Sequence, residues 1–168
     1  MNNYHQFVLA GKFEEMYQAC EDPWQASKED YDTSACSVAT KRIINSVPAA
    51  LVSIGSGTGR HLNWLDHLPS TGVELSLTAS MRAAQSYRHL NFIQADVVDY
   101  LRWGNPYDIY LFREVIWYIL PDWAEIVNIL KAKHSGALVI VELSFYDNQQ
   151  YGLDYFNGPD DFIAKWPF

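Results

Sequence analysis

Three alternating glycines, Gly55, Gly57 and Gly59, follow an apolar run of the sequence. Glycine adopts positive φ and lets a ligand approach the backbone closely, and the free N–H groups at the start of a following helix attract electronegative groups. The loop therefore predicts a binding site for a nucleotide-like ligand. The G-x-G-x-x-G fingerprint of dinucleotide sites needs its third glycine at position 60, where this chain has Arg60.

Two acidic residues stand where the next two predicted strands end. Glu74 lies nineteen residues after Gly55, close to the spacing at which a carboxylate accepts hydrogen bonds from ribose hydroxyls. Asp96 is placed to accept a hydrogen bond from an adenine amino group. Ligands of open α/β sheets bind beyond the carboxyl ends of the strands. The loop and the two acids together therefore predict an adenosine with a free ribose diol.

The elements that must position these residues alternate along the chain. Apolar strands are predicted at 49–54, 72–75, 91–95, 107–112 and 137–143, and helices between them at 59–67, 77–87 and 122–133. This alternation predicts an α/β fold, a Rossmann-like, doubly wound and mostly parallel sheet with helices on both faces.

The ends of the chain have a different character. Helices are predicted at 4–20 and from Thr33 or Ser34 to before Pro48, so we divide the chain into a helical lid or cap at 1–48 and an α/β core at 49–168. A last short helix is predicted at 160–166. With no strand candidate after Phe156, we expect the sheet to lack the last one or two strands of such folds. Either the sequence is part of a longer chain, the alternative we favour, or a second copy or partner chain covers the open edge.

Composition excludes several classes of protein. The chain has 168 residues, enough for one domain, and a formal net charge of −8 without a basic run, which argues against a nucleic-acid partner. No apolar run approaches the length of a membrane span, and the N-terminus lacks a secretory pattern, so we expect a cytoplasmic protein without membrane association. Cys20 and Cys36 lack zinc-site spacing, and no histidine pair has metal-ligand spacing, so we predict no metal.

Three segments resemble, in order, the first three motifs of class I S-adenosylmethionine-dependent methyltransferases: 54–59 (Ile-Gly-Ser-Gly-Thr-Gly), 72–76 (Gly-Val-Glu-Leu-Ser) and 94–97 (Gln-Ala-Asp-Val). The resemblance covers about residues 49–145. It implies S-adenosylmethionine as cofactor and methyl transfer to nitrogen or oxygen of a small molecule. The implied cofactor contacts are Gly55, Ser56, Gly57, Thr58, Gly59, Glu74, Leu75, Asp96, Val97 and Arg113.

A shorter resemblance points to one branch of the family. Asp22-Pro23-Trp24, Tyr31 and residues 113–120 are similar to the NodS-like branch, whose members N-methylate aminosugar oligomers. One position departs from the family pattern: Ser53 stands where members usually carry an acid that helps hold the loop and the methionine end of the cofactor.

The candidate side chains for binding the methyl acceptor lie around the fourth strand and in the N-terminal segment. Glu114 is the candidate for orienting or deprotonating an amine or hydroxyl, with a surface or capping carboxylate as the alternative. The candidate walls of the substrate pocket are Tyr4, Tyr17, Trp24, Trp117 and Tyr118, of which the last two could equally be core. His61 is expected on the surface of its helix, with a side chain that faces the cofactor as the alternative.

Two other functions stay open at this point. A catalytically silent relative would bind the cofactor or a partner as a scaffold, which Ser53 and the short sheet favour. A NAD(P)-dependent oxidoreductase is disfavoured by Arg60.

Overall fold

One five-stranded parallel sheet forms the centre of the protein. In a computed structural model, which describes residues 11–147 and 152–168, the strand order is β3-β2-β1-β4-β5. The strands are β1 (Leu51–Ile54), β2 (Ser70–Glu74), β3 (Asn91–Gln94), β4 (Ile109–Arg113) and β5 (Leu138–Glu142). All four pairings are parallel. The predicted Rossmann-like architecture is confirmed.

Helices cover both faces of the sheet. They are α1 (Phe13–Ala19), α2 (Ala35–Asn45), α3 (Arg60–Leu65), α4 (Leu77–Ser86), α5 (Val97–Trp103), α6 (Trp123–Lys133) and α7 (Pro159–Ala164). Side chains alternate along each strand, so Leu51 and Leu111 pack with α2 and α3, while Val52 and Phe112 pack with α5 and α6. The same alternation decides which face of the sheet each residue at a strand end occupies.

The sequence analysis predicts no helix between β3 and β4, but helix α5 begins directly after Asp96. Its carboxylate Oδ1 accepts from the backbone N–H groups of Val98 at 2.8 Å and Asp99 at 3.3 Å. Asp96 therefore caps the helix as well as ending the segment after β3. The other elements lie within a few residues of their predicted positions, and the part of the first predicted helix before residue 11 lies outside the described residues.

The sheet ends at β5 on one side, and the described residues add no sixth strand beyond it. A covering copy or partner chain stays a prediction, as does the division at residue 48. Within the two described ranges, no helix combines the length and apolar character needed to cross a membrane.

The Glu14 carboxylate is one of the groups that hold helix α1 against the rest of the chain. Glu14 accepts hydrogen bonds from the Ser76 hydroxyl at 2.6 Å and from the backbone N–H and hydroxyl of Thr78 at 3.1 and 2.5 Å. Burial opposes the charge of Glu14, but these hydrogen bonds outweigh it and lower its pKa from 4.5 to about 2. The charged form of Glu14 therefore stabilises the docked helix.

We expect Glu14→Gln to lower the melting temperature at pH 7 by roughly 2–4 °C, the effect of losing about 1 kcal/mol in a chain of this length. Because the pKa of Glu14 is lowered on folding, this stabilisation is complete above pH 4.5 and is lost as pH falls towards 2. Thermal unfolding of both proteins across that range measures it. Glu15→Gln, exposed on the same helix, is the control. A pH-independent difference would contradict the assignment.

Candidate functional site

A cavity of about 520 Å³ opens at the carboxyl ends of the strands. This volume falls within the range of small-molecule sites, roughly 300–1,000 Å³. The sequence-predicted residues that line it are Gly55, Ser56, Gly57, Thr58, Glu74, Leu75, Asp96, Val97, Arg113, Glu114, Tyr17, Trp24, Trp117 and Tyr118. Tyr4 lies outside the described residues.

Gly59 is the exception among the three glycines, since it does not line the cavity. Its φ is +78°, and a Cβ there would lie 2.6 Å from the Phe92 ring. A glycine at position 59 is needed to pack the loop against β3, and the expected cofactor contact there stays a prediction. Gly57, by contrast, faces the cavity with φ at +54°, and a Cβ there would lie 3.0 Å from the Tyr17 hydroxyl.

The Ser56 hydroxyl faces the sheet. Its Oγ lies 2.6 Å from where a Cβ on Gly72 would stand, and it is buried without a hydrogen-bond partner among the described residues. This placement leaves the backbone of the loop, rather than the serine hydroxyl, to approach a ligand.

Glu74 joins the glycine loop to the segment after β2. Its two carboxylate oxygens accept from the backbone N–H groups of Gly57 at 2.8 Å and Ser76 at 2.9 Å. Burial raises the pKa of Glu74, although the backbone hydrogen bonds oppose that shift. Two carboxylate oxygens together have four lone pairs, so Glu74 retains acceptor capacity for a ligand hydroxyl.

Arg113 lies at the end of β4 between two carboxylates. Its Nη2 contacts Glu29 at 2.9 Å, its Nε lies 3.3 Å from the buried Glu142 carboxylate, and its guanidinium lies over the Tyr31 ring at 5.2 Å. Glu142 also accepts from the Ser37 hydroxyl at 3.3 Å. Burial raises the pKa of Glu142 despite these partners.

His61 is part of this cluster, and its predicted place on the helix surface is wrong. The side chain is 9% exposed, packs edge-on to Tyr31 and stacks on Trp64, and its Nε2 lies 3.6 Å from Glu142. Burial, with the nearby positive charges of Arg113 and Lys41, lowers the pKa of His61 to about 3. The imidazole is therefore neutral at pH 7.

The sequence reading did not include Glu29, Tyr31 or Glu142 in the site. Glu142 follows the same rule that located Glu74 and Asp96, because it too is an acid at the carboxyl end of a strand. Glu29 and Tyr31 lie in the connection before α2; Tyr31 entered only through the NodS-like resemblance, and no local pattern indicated Glu29.

Glu114 has a clear structural role. Its backbone is left-handed, with φ at +52°, and its carboxylate oxygens accept from the Ser144 hydroxyl at 2.6 Å and the Ser144 N–H at 3.1 Å. These bonds tie the end of β4 to the segment after β5 and support the capping alternative. A part in orienting or deprotonating an acceptor stays a prediction.

Aromatic side chains form the roof of the cavity and belong to the core as well. Tyr17 accepts a hydrogen bond from Trp24 Nε1 at 2.9 Å, and Tyr118 packs against Phe13 and Trp24 with ring centroids at 5.5 and 5.6 Å. Trp117 is almost fully buried in the larger core cluster. The pocket and core roles proposed for Trp117 and Tyr118 are therefore compatible.

No group of three or more metal-ligating side chains occurs in residues 11–147 and 152–168. The chemistry of the cavity is that of carboxylates, guanidinium groups, aromatic rings and backbone N–H groups.

We expect Glu74→Gln to reduce the free energy of unfolding by about 1–3 kcal/mol, because the amide nitrogen would face one of two backbone N–H donors and leave it unpaired. Urea unfolding at pH 7 measures the change, with the exposed Glu15→Gln as control. A change in the Gly57 amide resonance should accompany it. Unchanged stability would show that Glu74 does not hold the loop.

Comparison with protein-family models and with curated proteins gives no match. Solved structures do match. The sugar N-methyltransferase KedS8 from Streptoalloteichus sp ATCC 53650 is 24% identical, with a TM-score of 0.57 over 75% of this chain and 53% of that one. The N-methyltransferase NodS from Bradyrhizobium japonicum WM9, in complex with S-adenosyl-L-homocysteine, is 17% identical, with a TM-score of 0.58 over 77% of this chain and 66% of NodS.

The DhpI–SAM–HEP complex is 16% identical, with a TM-score of 0.58 over 88% of this chain and 70% of that one. This chain thus spans about half the length of KedS8 and 66% of NodS. The sheet order, the helices on both faces and these likenesses agree. The chain has the fold of the class I S-adenosylmethionine-dependent methyltransferases.

Proposed function

We propose that this protein binds S-adenosylmethionine and transfers its methyl group to nitrogen or oxygen of a small molecule. The observation that carries the proposal is the joint placement of Gly57, Glu74 and Asp96 along one cavity at the carboxyl ends of β1, β2 and β3. The names of KedS8 and NodS, both N-methyltransferases, support an amine acceptor such as an aminosugar.

The residues present fit the adenosine half of this cofactor. A side chain at position 57 would meet the Tyr17 hydroxyl, so the glycine keeps the loop backbone open to a ligand. Glu74 accepts the ribose hydroxyls, and Asp96 accepts from the adenine amino group. Leu75 and Val97 line the same stretch of the cavity and provide apolar contact for the base.

The bound cofactor supplies a methyl group already activated by its sulfonium. The chain must therefore hold the acceptor in line with that methyl group and exclude water. The rings of Trp24, Trp117 and Tyr118 line the cavity and favour a positive charge, either on sulfur or on a methylated nitrogen. Glu114 orients the acceptor if its carboxylate is released from Ser144.

A catalytically silent scaffold is the second candidate. Ser53, buried and uncharged where the resembling family carries an acid, is the observation that favours it. Such a protein would bind the same cofactor without transferring its methyl group.

Calorimetric titration with S-adenosylmethionine, S-adenosylhomocysteine and NAD tests the cofactor. We expect both methionine-derived ligands to bind. Glu74→Ala should lower the affinity for each at least tenfold, because it removes a hydrogen bond to a charged group. Glu125→Ala, exposed on α6, should bind like the unaltered protein. Tight NAD binding with neither of the other two would overturn the proposal.

A radiolabelled methyl screen across aminosugars, phenols and small amines then separates enzyme from scaffold. We expect transfer to at least one amine. Cofactor binding without transfer to any acceptor would favour the scaffold.

A further inference from the structure

Carboxylates outnumber cations among the charged side chains that line the cavity in the described residues. Glu74 and Asp96 stand at the ends of β2 and β3, whereas the positively charged side chains that line the cavity within the described residues are Arg60 and Arg113. Arg60 and Arg113 are therefore the lining side chains in the described residues that can pair with an anionic group of a ligand.

The spacing of the strands locates Arg113 relative to the ribose site. Strand β4 is separated from β2 by β1 alone, and neighbouring strands lie about 4.8 Å apart, so the end of β4 lies about 10 Å from the end of β2. A ribose at Glu74 would extend its 5′ substituent across the glycine loop of β1 towards Arg113. This direction fits the amino-acid end of S-adenosylmethionine, which carries an α-carboxylate and an α-ammonium group.

The partners of Arg113 differ in how firmly they are held. Glu142 is 4% exposed and lies against Arg113, Ser37 and His61, so its carboxylate stays in place. The Glu29 side chain is 41% exposed and lies in the connection before α2. An ion pair with one solvated partner contributes little to stability, so Glu29 can leave the guanidinium when another carboxylate arrives.

The cluster around Arg113 is incompletely paired. Arg113 Nε, Glu142 Oε1 and His61 Nε2 are buried and have no hydrogen-bond partner among the described residues. Buried polar atoms are normally hydrogen-bonded, and Arg113 and His61 both line the cavity. These atoms lie on the Glu142 side of Arg113, whereas Arg113 Nη2 contacts Glu29, which lines the cavity.

We propose that the Glu29–Arg113 ion pair opens to receive the amino-acid end of S-adenosylmethionine, with the α-carboxylate on Arg113 and the α-ammonium group on Glu29. The inference rests on the proposed function. The exchange conserves charge, because one carboxylate and one cation of the protein separate and each is paired with the opposite charge of the ligand. It also provides an anion for the ammonium group in a chain where position 53 is uncharged.

Arg113 suits this role better than Arg60. Arg113 is 21% exposed, and its Nε edge lies against Glu142, which leaves the Nη2 side towards the ligand. Arg60 is exposed at the first turn of α3. Charged hydrogen bonds are stronger where water is excluded, so a carboxylate gains more from Arg113.

The test compares S-adenosylhomocysteine with 5′-methylthioadenosine, which keeps the nucleoside thioether and lacks the amino-acid end. We expect the unaltered protein to bind S-adenosylhomocysteine more tightly by calorimetry. Glu29→Gln and Arg113→Met should each weaken that ligand about tenfold while changing 5′-methylthioadenosine by less than about twofold.

Arg102 and Glu125 form an exposed ion pair away from the cavity, so Arg102→Met and Glu125→Gln are matched controls that should change neither affinity. Arg113→Met leaves Glu142 without its cation, so thermal unfolding should accompany each titration. If Arg113→Met does not fold, Arg113→Lys and the surface variant Glu29→Gln carry the test.

Equal affinity of the unaltered protein for the two ligands would overturn this inference and leave the proposed function intact. So would equal losses for both ligands in the Arg113 and Glu29 variants, no loss in either, or loss of discrimination in Arg60→Met alone. Failure of both ligands to bind the unaltered protein would overturn the proposed function, and the inference with it.

Discussion

The buried carboxylate of Glu74 is the interaction on which the shape of the cavity depends. It joins the N–H of Gly57 in the loop after β1 to the N–H of Ser76 at the start of α4. Ser76 in turn caps α4 through the Ala79 N–H and donates its hydroxyl to Glu14 on α1. One chain of hydrogen bonds thus runs from the glycine loop to the N-terminal segment.

This chain of bonds connects the aromatic roof of the cavity to the glycine loop. Helix α1 carries Glu14 at one end of the chain and also Tyr17, whose hydroxyl lies over Gly57 and pairs with Trp24. A shift of α1 would move Tyr17 away from the loop and break the hydrogen bonds to Glu14 together. Ligand contact at Glu74 therefore acts on the same network that positions the aromatic roof.

The sequence was sufficient for features that depend on local pattern. Short apolar strands separated by helices predicted the parallel sheet. The spacing from Gly55 to Glu74 predicted a shared site, and both residues line one cavity. His61 was placed wrongly because its partner Glu142 lies far along the chain and only the fold brings them together. Ser37 meets Glu142 across 105 residues. The periodicity of apolar residues in a helix does not indicate contacts between residues so far apart in the sequence.

An uncharged residue at position 53 fits the charges on its face of the sheet. Ser53 on β1 pairs with Leu111 on β4. Arg113 follows Leu111 by two residues and pairs with Glu142 on β5, so side-chain alternation places Ser53, Arg113 and Glu142 on the same face of the sheet. Ser53 is almost fully buried. A carboxylate there would lose its hydration and add a second buried negative charge to a face where burial already raises the pKa of Glu142. Arg113 already contacts two carboxylates, Glu142 on β5 and Glu29 in the N-terminal segment. The negative charge on this face of the sheet therefore comes from those two residues, and β1 needs no acid.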